Sequence, residues 1–92
     1  MNYSVEFTKK AKKQLAKLDK STAKLIVSWI YKNLHKCTNP RQHGKGLTSN
    51  RSGQWRYRIG DYRLLAEIQE DKVIILILEI GHRSVIYDSW FL

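Results

Sequence analysis

The residues of this chain best placed to do chemistry lie within 53–63, GQWRYRIGDYR. Trp55, Tyr57 and Ile59 alternate with Gln54, Arg56 and Arg58, a period of two that predicts a strand. Gly60 and Asp61 read as a two-residue hairpin loop, with glycine supplying the positive φ at the first central position. Tyr62, Leu64, Ala66 and Ile68 continue the apolar face on the returning arm. Such a loop pairs Ile59 with Tyr62 and therefore Arg58 with Arg63, and it puts Arg56 on the same face opposite Leu65. Like charges directly across a strand pair destabilise a sheet. Two readings follow from the residues alone. Either the long side chains splay apart and Glu79 or Glu67 neutralises them, or the face is built to hold an anion. Phosphate is the first candidate, because guanidinium groups grip it bidentately.

The elements that position this face must come from 92 residues, a length that predicts one domain over 1–92 and a core of one sheet and two helices. Hydrophobic residues make up 42% and charged residues 27%, which suits a folded globular chain. A formal charge of +9 does not follow from folding. It points to an anionic partner, with nucleic acid ahead of an acidic protein or a membrane surface. Cys37 stands alone, so no internal disulfide is possible. The start MNYSVEF has no apolar signal core, and the apolar run 73–78 is far too short to span a bilayer. The expectation is a cytoplasmic protein that does not enter membranes.

Residues 2–7 alternate as a short strand, and Thr8 is the expected cap of a first helix carrying Ala11, Leu15 and Leu18. Lys9, Lys10, Lys12, Lys13 and Lys17 cover the rest of that helix. They are either a solvated face or a docking surface for a large polyanion. Ser21 or Thr22 is expected to cap a second helix, running to about residue 36, with Leu25, Ile26, Trp29, Ile30, Asn33 and Leu34 as its buried stripe. Residues 38–52 form a basic loop in which 45–49 could make an edge strand, with Lys45 and Arg51 facing RNA. His35 and His43 lack the spacing of metal ligands, so neither a metal nor any other cofactor is expected. Residues 70–72 turn the chain again, and a three-residue loop there would set Glu79 opposite Arg63. The run 73–80 is apolar on both faces and reads as a central strand covered on both sides. The order strand, helix, helix and then antiparallel strands is an α+β class: an N-terminal strand and an antiparallel helical hairpin packed on a four- to five-stranded antiparallel sheet.

With that order in place, WRYRIGDYRLL and EIGHRSVIY resemble the RelE/ParE toxin superfamily of bacterial toxin–antitoxin systems, and the RelE branch in particular. The resemblance runs from the first strand to Tyr87. It implies a sheet with the first strand beside the last, and an mRNA endonuclease that acts on the ribosome. It also implies a cognate RelB-like antitoxin and a toxin–antitoxin hetero-oligomer. The basic residues before the hairpin turn match Arg56 and Arg58, the one after it matches Arg63, the one after the last strand's glycine matches Arg83, and the nearby tyrosine matches Tyr87. This chain departs from the pattern in carrying arginines where lysines are usual at 56 and 58, in a shorter Gly-to-Tyr spacing, and in ending soon after Tyr87.

Metal-free RNA cleavage uses the adjacent 2′-OH as nucleophile. It needs a base for that hydroxyl, positive charge around the phosphorane, and an acid for the leaving 5′-oxygen. Arginine stays protonated and supplies only the charge. Histidine titrates near neutrality, so His82, adjoining Arg83, is a candidate base, or else a residue that merely orients the turn. Glu79 is the other candidate. A tyrosine ring can stack on an unpaired base, which suits Tyr87. The competing class is a non-catalytic ParE-like toxin that inhibits DNA gyrase by binding it.

Overall fold

The computed structural model describes residues 2–47 and 53–85. Strand β1 spans Ser4–Phe7, and helices α1 and α2 span Lys9–Ala16 and Lys20–Asn33. They are followed by β2 (Lys45–Gly46), β3 (Trp55–Ile59), β4 (Tyr62–Gln69) and β5 (Ile74–His82). The strands form one sheet in the order β1-β5-β4-β3-β2. The expected helical layer and five-stranded sheet are present, with the first strand beside the last. The sheet is mixed rather than wholly antiparallel, because β1 pairs with β5 in parallel, from Ser4 opposite Ile74 to Phe7 opposite Ile77.

One face of the sheet carries the helices. Ile26, Ile30 and Leu34 recur every fourth residue and bury a narrow seam against Tyr57, Ile59, Leu64, Ala66, Ile75 and Ile77. Leu25, expected in that stripe, is 57% exposed. It lies about 100° round the helix from Ile26, and the buried residues of α2 itself are Ile26 and Ile30. The other face of the sheet has a small apolar cluster, Leu47 and Leu65 with Leu78 against them. Strand β5 is therefore not covered on both sides: Ile74 and Leu76 remain half-buried there. The middle strand is β4.

Both helices start on side-chain caps. Thr8 Oγ1 accepts from the Ala11 N–H at 3.1 Å, as its position before α1 predicts. The cap of α2 is Asp19, ahead of the Ser21 or Thr22 expected. Its carboxylate accepts from the Thr22 N–H at 3.1 Å and from both the Ser21 and Thr22 hydroxyls. The hydroxyls serve as donors to the acid and so are not themselves the cap. These bonds, that from Ser21 above all, lower the Asp19 pKa to about 2. Helix α2 closes at Leu34, short of residue 36, because Lys36 takes a left-handed φ of 64°.

The β4–β5 connection differs from expectation in a way that matters for charge. Gln69 pairs with Ile74, so the turn holds four residues, with Val73 at φ 56°. The register then shifts between Leu65 and Ala66, leaving Leu78 as an extra residue in β5, a β-bulge. Glu79 consequently sits opposite Leu65, and Gly81 sits opposite Arg63. Glu79 forms an ion pair with Lys10 at 3.1 Å. Strand β5 also runs on beyond the end of β1, where α1 completes its edge. The Thr8 hydroxyl donates to the Leu78 carbonyl at 3.0 Å. Gln14 Oε1 accepts from the Ile80 N–H at 2.7 Å.

Two outcomes are expected. Gln14→Leu strands the N–H of buried Ile80 and should cost about 1–3 kcal/mol in urea unfolding. Asp19→Ala should lower Tm by about 4 °C at neutral pH. The Asp19 pKa is depressed on folding, so its contribution is fully present above the ordinary carboxylate range near 4. It is lost as pH falls toward 2, and the two melting curves should converge there. A Tm gap independent of pH would rule out the carboxylate as the cap.

Candidate active site

The register of β3 and β4 is the one that a two-residue loop requires: Ile59 opposite Tyr62, Arg58 opposite Arg63, and Arg56 opposite Leu65. Gly60 takes φ 57°, and Asp61 has no positive φ, the sign pattern of a type II′ turn. Parity then places Tyr57, Ile59 and Leu64 under the helices and turns Arg56, Arg58 and Arg63 to the opposite, open face.

Arg63 is the anchor of this face and is only 8% exposed. Its Nη1 donates to the carbonyls of Gly60 at 2.8 Å and Tyr62 at 2.9 Å, which ties the guanidinium to the turn. Among the described residues no carboxylate forms an ion pair with it. Burial pushes its pKa below the ordinary arginine value, and Arg58, Arg56 and Arg83 push the same way, with Asp61 opposing them. Arginine remains charged under such pressure, so the site holds an unneutralised cation. Glycine at 81, across the strand from Arg63, puts no side chain beside it.

Arg83 joins from the end of β5. Its backbone N–H donates to the Asp61 carbonyl at 2.8 Å, and its Nε lies 3.6 Å from Asp61 Oδ1. The turn that carries Arg58 and Arg63 thus also fixes where the last strand exits. Arg56, Arg58, Arg63 and Arg83 together line a hollow of about 250 Å³. A second hollow of about 210 Å³ adjoins it, lined by Gly44, Lys45, Arg56 and Arg58.

Lys45 belongs to this face because β2 pairs with β3, setting Lys45 opposite Arg56 and Gly46 opposite Trp55. The expected edge strand at 45–49 is therefore present at 45–46. The loop leading to it is pinned by aromatic residues. The buried Tyr57 hydroxyl donates to the Pro40 carbonyl and the Trp55 indole to that of His43, each at 2.6 Å. Burial pushes the Tyr57 phenol pKa up, so it stays a donor. Trp29 packs edge-on against His43 at 5.7 Å. No sequence pattern signals that Gly44 lines a hollow. Two residues of β2 are too few to show an alternation.

Other sequence candidates fall elsewhere. His82 pairs with Tyr62, one position from the Arg63–Gly81 pair and so on the other face of the sheet. Its ring packs edge-on against Tyr62 at 5.3 Å. Its Nδ1 accepts from the Ser84 N–H at 3.1 Å, which leaves the proton of the neutral ring on Nε2. The structure does not bring His82 into the arginine hollow. Lys9, Lys12, Lys13 and Lys17 are exposed on α1 and do not line the arginine hollow, and Lys10 reaches Glu79, which shares the open face with Arg56. Tyr87 and Arg51 lie outside the described residues. What the hollow can do is hold a multiply charged anion by charge and by guanidinium forks; it offers no proton acceptor among its four arginines.

Comparison with known proteins agrees with this fold. The profile of the family described as "ParE toxin of type II toxin-antitoxin system, parDE" matches residues 5–87. Toxin RelG of Mycobacterium tuberculosis is 33% identical over 87 residues, covering 95% of this chain and 98% of that protein. Among solved structures, the toxin–antitoxin complex RelBE2 of M. tuberculosis superposes with a TM-score of 0.81 at 31% identity, over 90% of this chain and 100% of that one. The toxin of the intact E. coli RelBE complex shares the fold at 17% identity, with a TM-score of 0.68 over 87% of this chain and 95% of its own. With its sheet order, its hairpin and its cationic face alike in place, the chain belongs to the RelE/ParE family of type II toxin–antitoxin toxins.

Proposed function

We propose that this toxin is a ribosome-dependent mRNA endonuclease, acting in the cytoplasm and silenced by a cognate RelB-like antitoxin. The observation that carries the reading is the opposition of Arg58 to the buried Arg63, with Arg56 and Arg83 closing the same hollow. A surface evolved only to bind a protein gains nothing from a like-charged pair in which, among the described residues, no carboxylate forms an ion pair with Arg63. A phosphodiester that becomes a dianionic phosphorane accounts for it.

In this mechanism the RNA 2′-OH attacks its own 3′-phosphate in line with the departing 5′-oxygen. The product ends are a 2′,3′-cyclic phosphate and a 5′-hydroxyl. Arg63 is held rigidly by the turn carbonyls, so its guanidinium reorganises little as charge builds on the equatorial oxygens. Arg56, Arg58 and Arg83 complete the cationic clamp. The 2′-OH is itself the nucleophile, so no metal is needed to generate one. No arginine takes the proton, so water accepts it from the 2′-OH and returns one to the departing 5′-oxygen, and the acceleration comes from charge stabilisation together with the ribosome's alignment of the strand. Tyr87, matched through the family resemblance, stacks on the exposed base.

The antitoxin reading rests on the net charge of +9 and on relatives solved as toxin–antitoxin complexes with RelB. An acidic amphipathic segment complements such a surface. The ParE family profile favours a second reading, a toxin that binds and inhibits DNA gyrase. Mapping mRNA 5′ ends with and without ribosomes, beside a gyrase supercoiling assay, separates the two.

Arg83→Ala and Arg58→Ala, both at exposed positions, should slow ribosome-dependent cleavage about 100- to 1,000-fold. Arg58→Ala removes a like-charge opposition and should leave Tm unchanged or raise it, by up to about 1 kcal/mol in stability. Normal cleavage by both variants, or loss that merely tracks unfolding, overturns the endonuclease. Co-purification from the native operon should recover a small acidic partner. Arg63→Ala is the less clean probe, since that side chain also pins the turn.

A further inference from the structure

Two like-charged cross-strand pairs lie side by side on the open face, and each has its own hollow. Arg58 opposes Arg63 between β3 and β4, beside the hollow that Arg83 closes. Lys45 opposes Arg56 between β2 and β3, beside the hollow floored by Gly44. Each hollow presents an exposed cation to solvent, Arg58 in both and Lys45 in the second. We infer that the Lys45 hollow is a second phosphate subsite, taking the phosphodiester next to the scissile one on the same RNA strand. The inference rests on the endonuclease reading above.

The spacing fits. The hollows share Arg56 and Arg58, one lying at β2–β3 and the other across β3 to β5. At about 4.8 Å per strand their centres are about 7 Å apart, within reach of successive phosphates on one backbone. The strand therefore crosses the sheet, over β3, from the β2 edge toward β5.

The second hollow is also built and held. Gly44 has φ 81°, and a Cβ there would stand 2.2 Å from the Arg56 carbonyl oxygen and 2.8 Å from Trp55 Nε1. Only a residue without a side chain lets the loop lie this close to β3. The hydroxyl of Tyr57 and the indole of Trp55 hold the loop there through Pro40 and His43. Among the described residues, the side chains of Lys45 and Arg58 make no hydrogen bond or ion pair. Lysine also suits the task. A neighbouring phosphate keeps its charge throughout the reaction, so a point charge that binds ground and transition states alike serves it well.

That difference supplies the test. Single-turnover cleavage is measured on ribosomes programmed with synthetic mRNA, in which each linkage flanking the scissile bond is replaced in turn by a neutral methylphosphonate. Lys45→Ala should raise the half-saturating toxin concentration about tenfold and leave the rate at saturation within about twofold. One of the two neutral linkages should weaken the native protein by a similar factor and weaken Lys45→Ala no further. The Tm of Lys45→Ala should equal or exceed that of the native protein. The subsite is overturned if half-saturation is unchanged, or if the substitution and the neutral linkage multiply as independent effects. If Arg83→Ala loses cleavage while Lys45→Ala behaves as native, only the subsite fails. If the native protein cleaves nothing on ribosomes, the endonuclease reading fails and takes the subsite with it.

Discussion

The two-residue turn at Gly60 and Asp61 is the constraint on which the rest of this structure depends. Side chains alternate along a strand with a period of two, so the length of one turn decides which residues face the core and which face water. Here it sends Tyr57 and Leu64 under the helices and leaves Arg58 against Arg63 on the open side. The same turn receives the Arg63 guanidinium on its Gly60 carbonyl and the Arg83 backbone on its Asp61 carbonyl. One local choice thus sets the core, the cation cluster and the exit of the last strand.

Charge in this small protein is held in two ways. The lysines of α1 are exposed along that helix, with Lys10 reaching Glu79. The arginines and Lys45 lie on the open face of the sheet. There Arg63 is fixed by burial and by the turn carbonyls, and Arg83 by its contacts with Asp61. Flexible charge suits attraction to a polyanion over a distance, whereas fixed charge suits stabilising one geometry of one phosphate. A chain of this size has no room for an enclosed pocket, and an open cationic face fits a substrate already positioned by a larger partner.

Much of this was legible in the sequence, wherever a local rule decides the outcome. The hairpin register, the Thr8 cap and the two helices follow from alternation, capping chemistry and helical spacing. What could not be read depends on contacts remote in sequence. The four-residue turn at 70–73 and the bulge at Leu78 move Glu79 away from Arg63, and no local signal marks an extra residue in an apolar run such as IILIL. Leu25 looked buried because α2 is apolar beyond its contact seam. Asp19 outcompeted Ser21 and Thr22 as a cap because a carboxylate accepts from several donors at once. The family resemblance, not the spacing, brought Arg83 to the site, and the structure supplied Lys45 with its partner across the strand.

The pairing of β1 with β5 also bears on when this protein comes into being. Thr8 and Leu78 are joined across 70 residues of chain, and the N-terminal strand has no other strand neighbour in the sheet. Contacts so distant along the chain are costly to close and form late. During synthesis the first strand and both helices emerge well before the strand that they cover, and Arg83 follows that strand. The sheet and the cation cluster are therefore completed together, once β5 has reached the N-terminal strand.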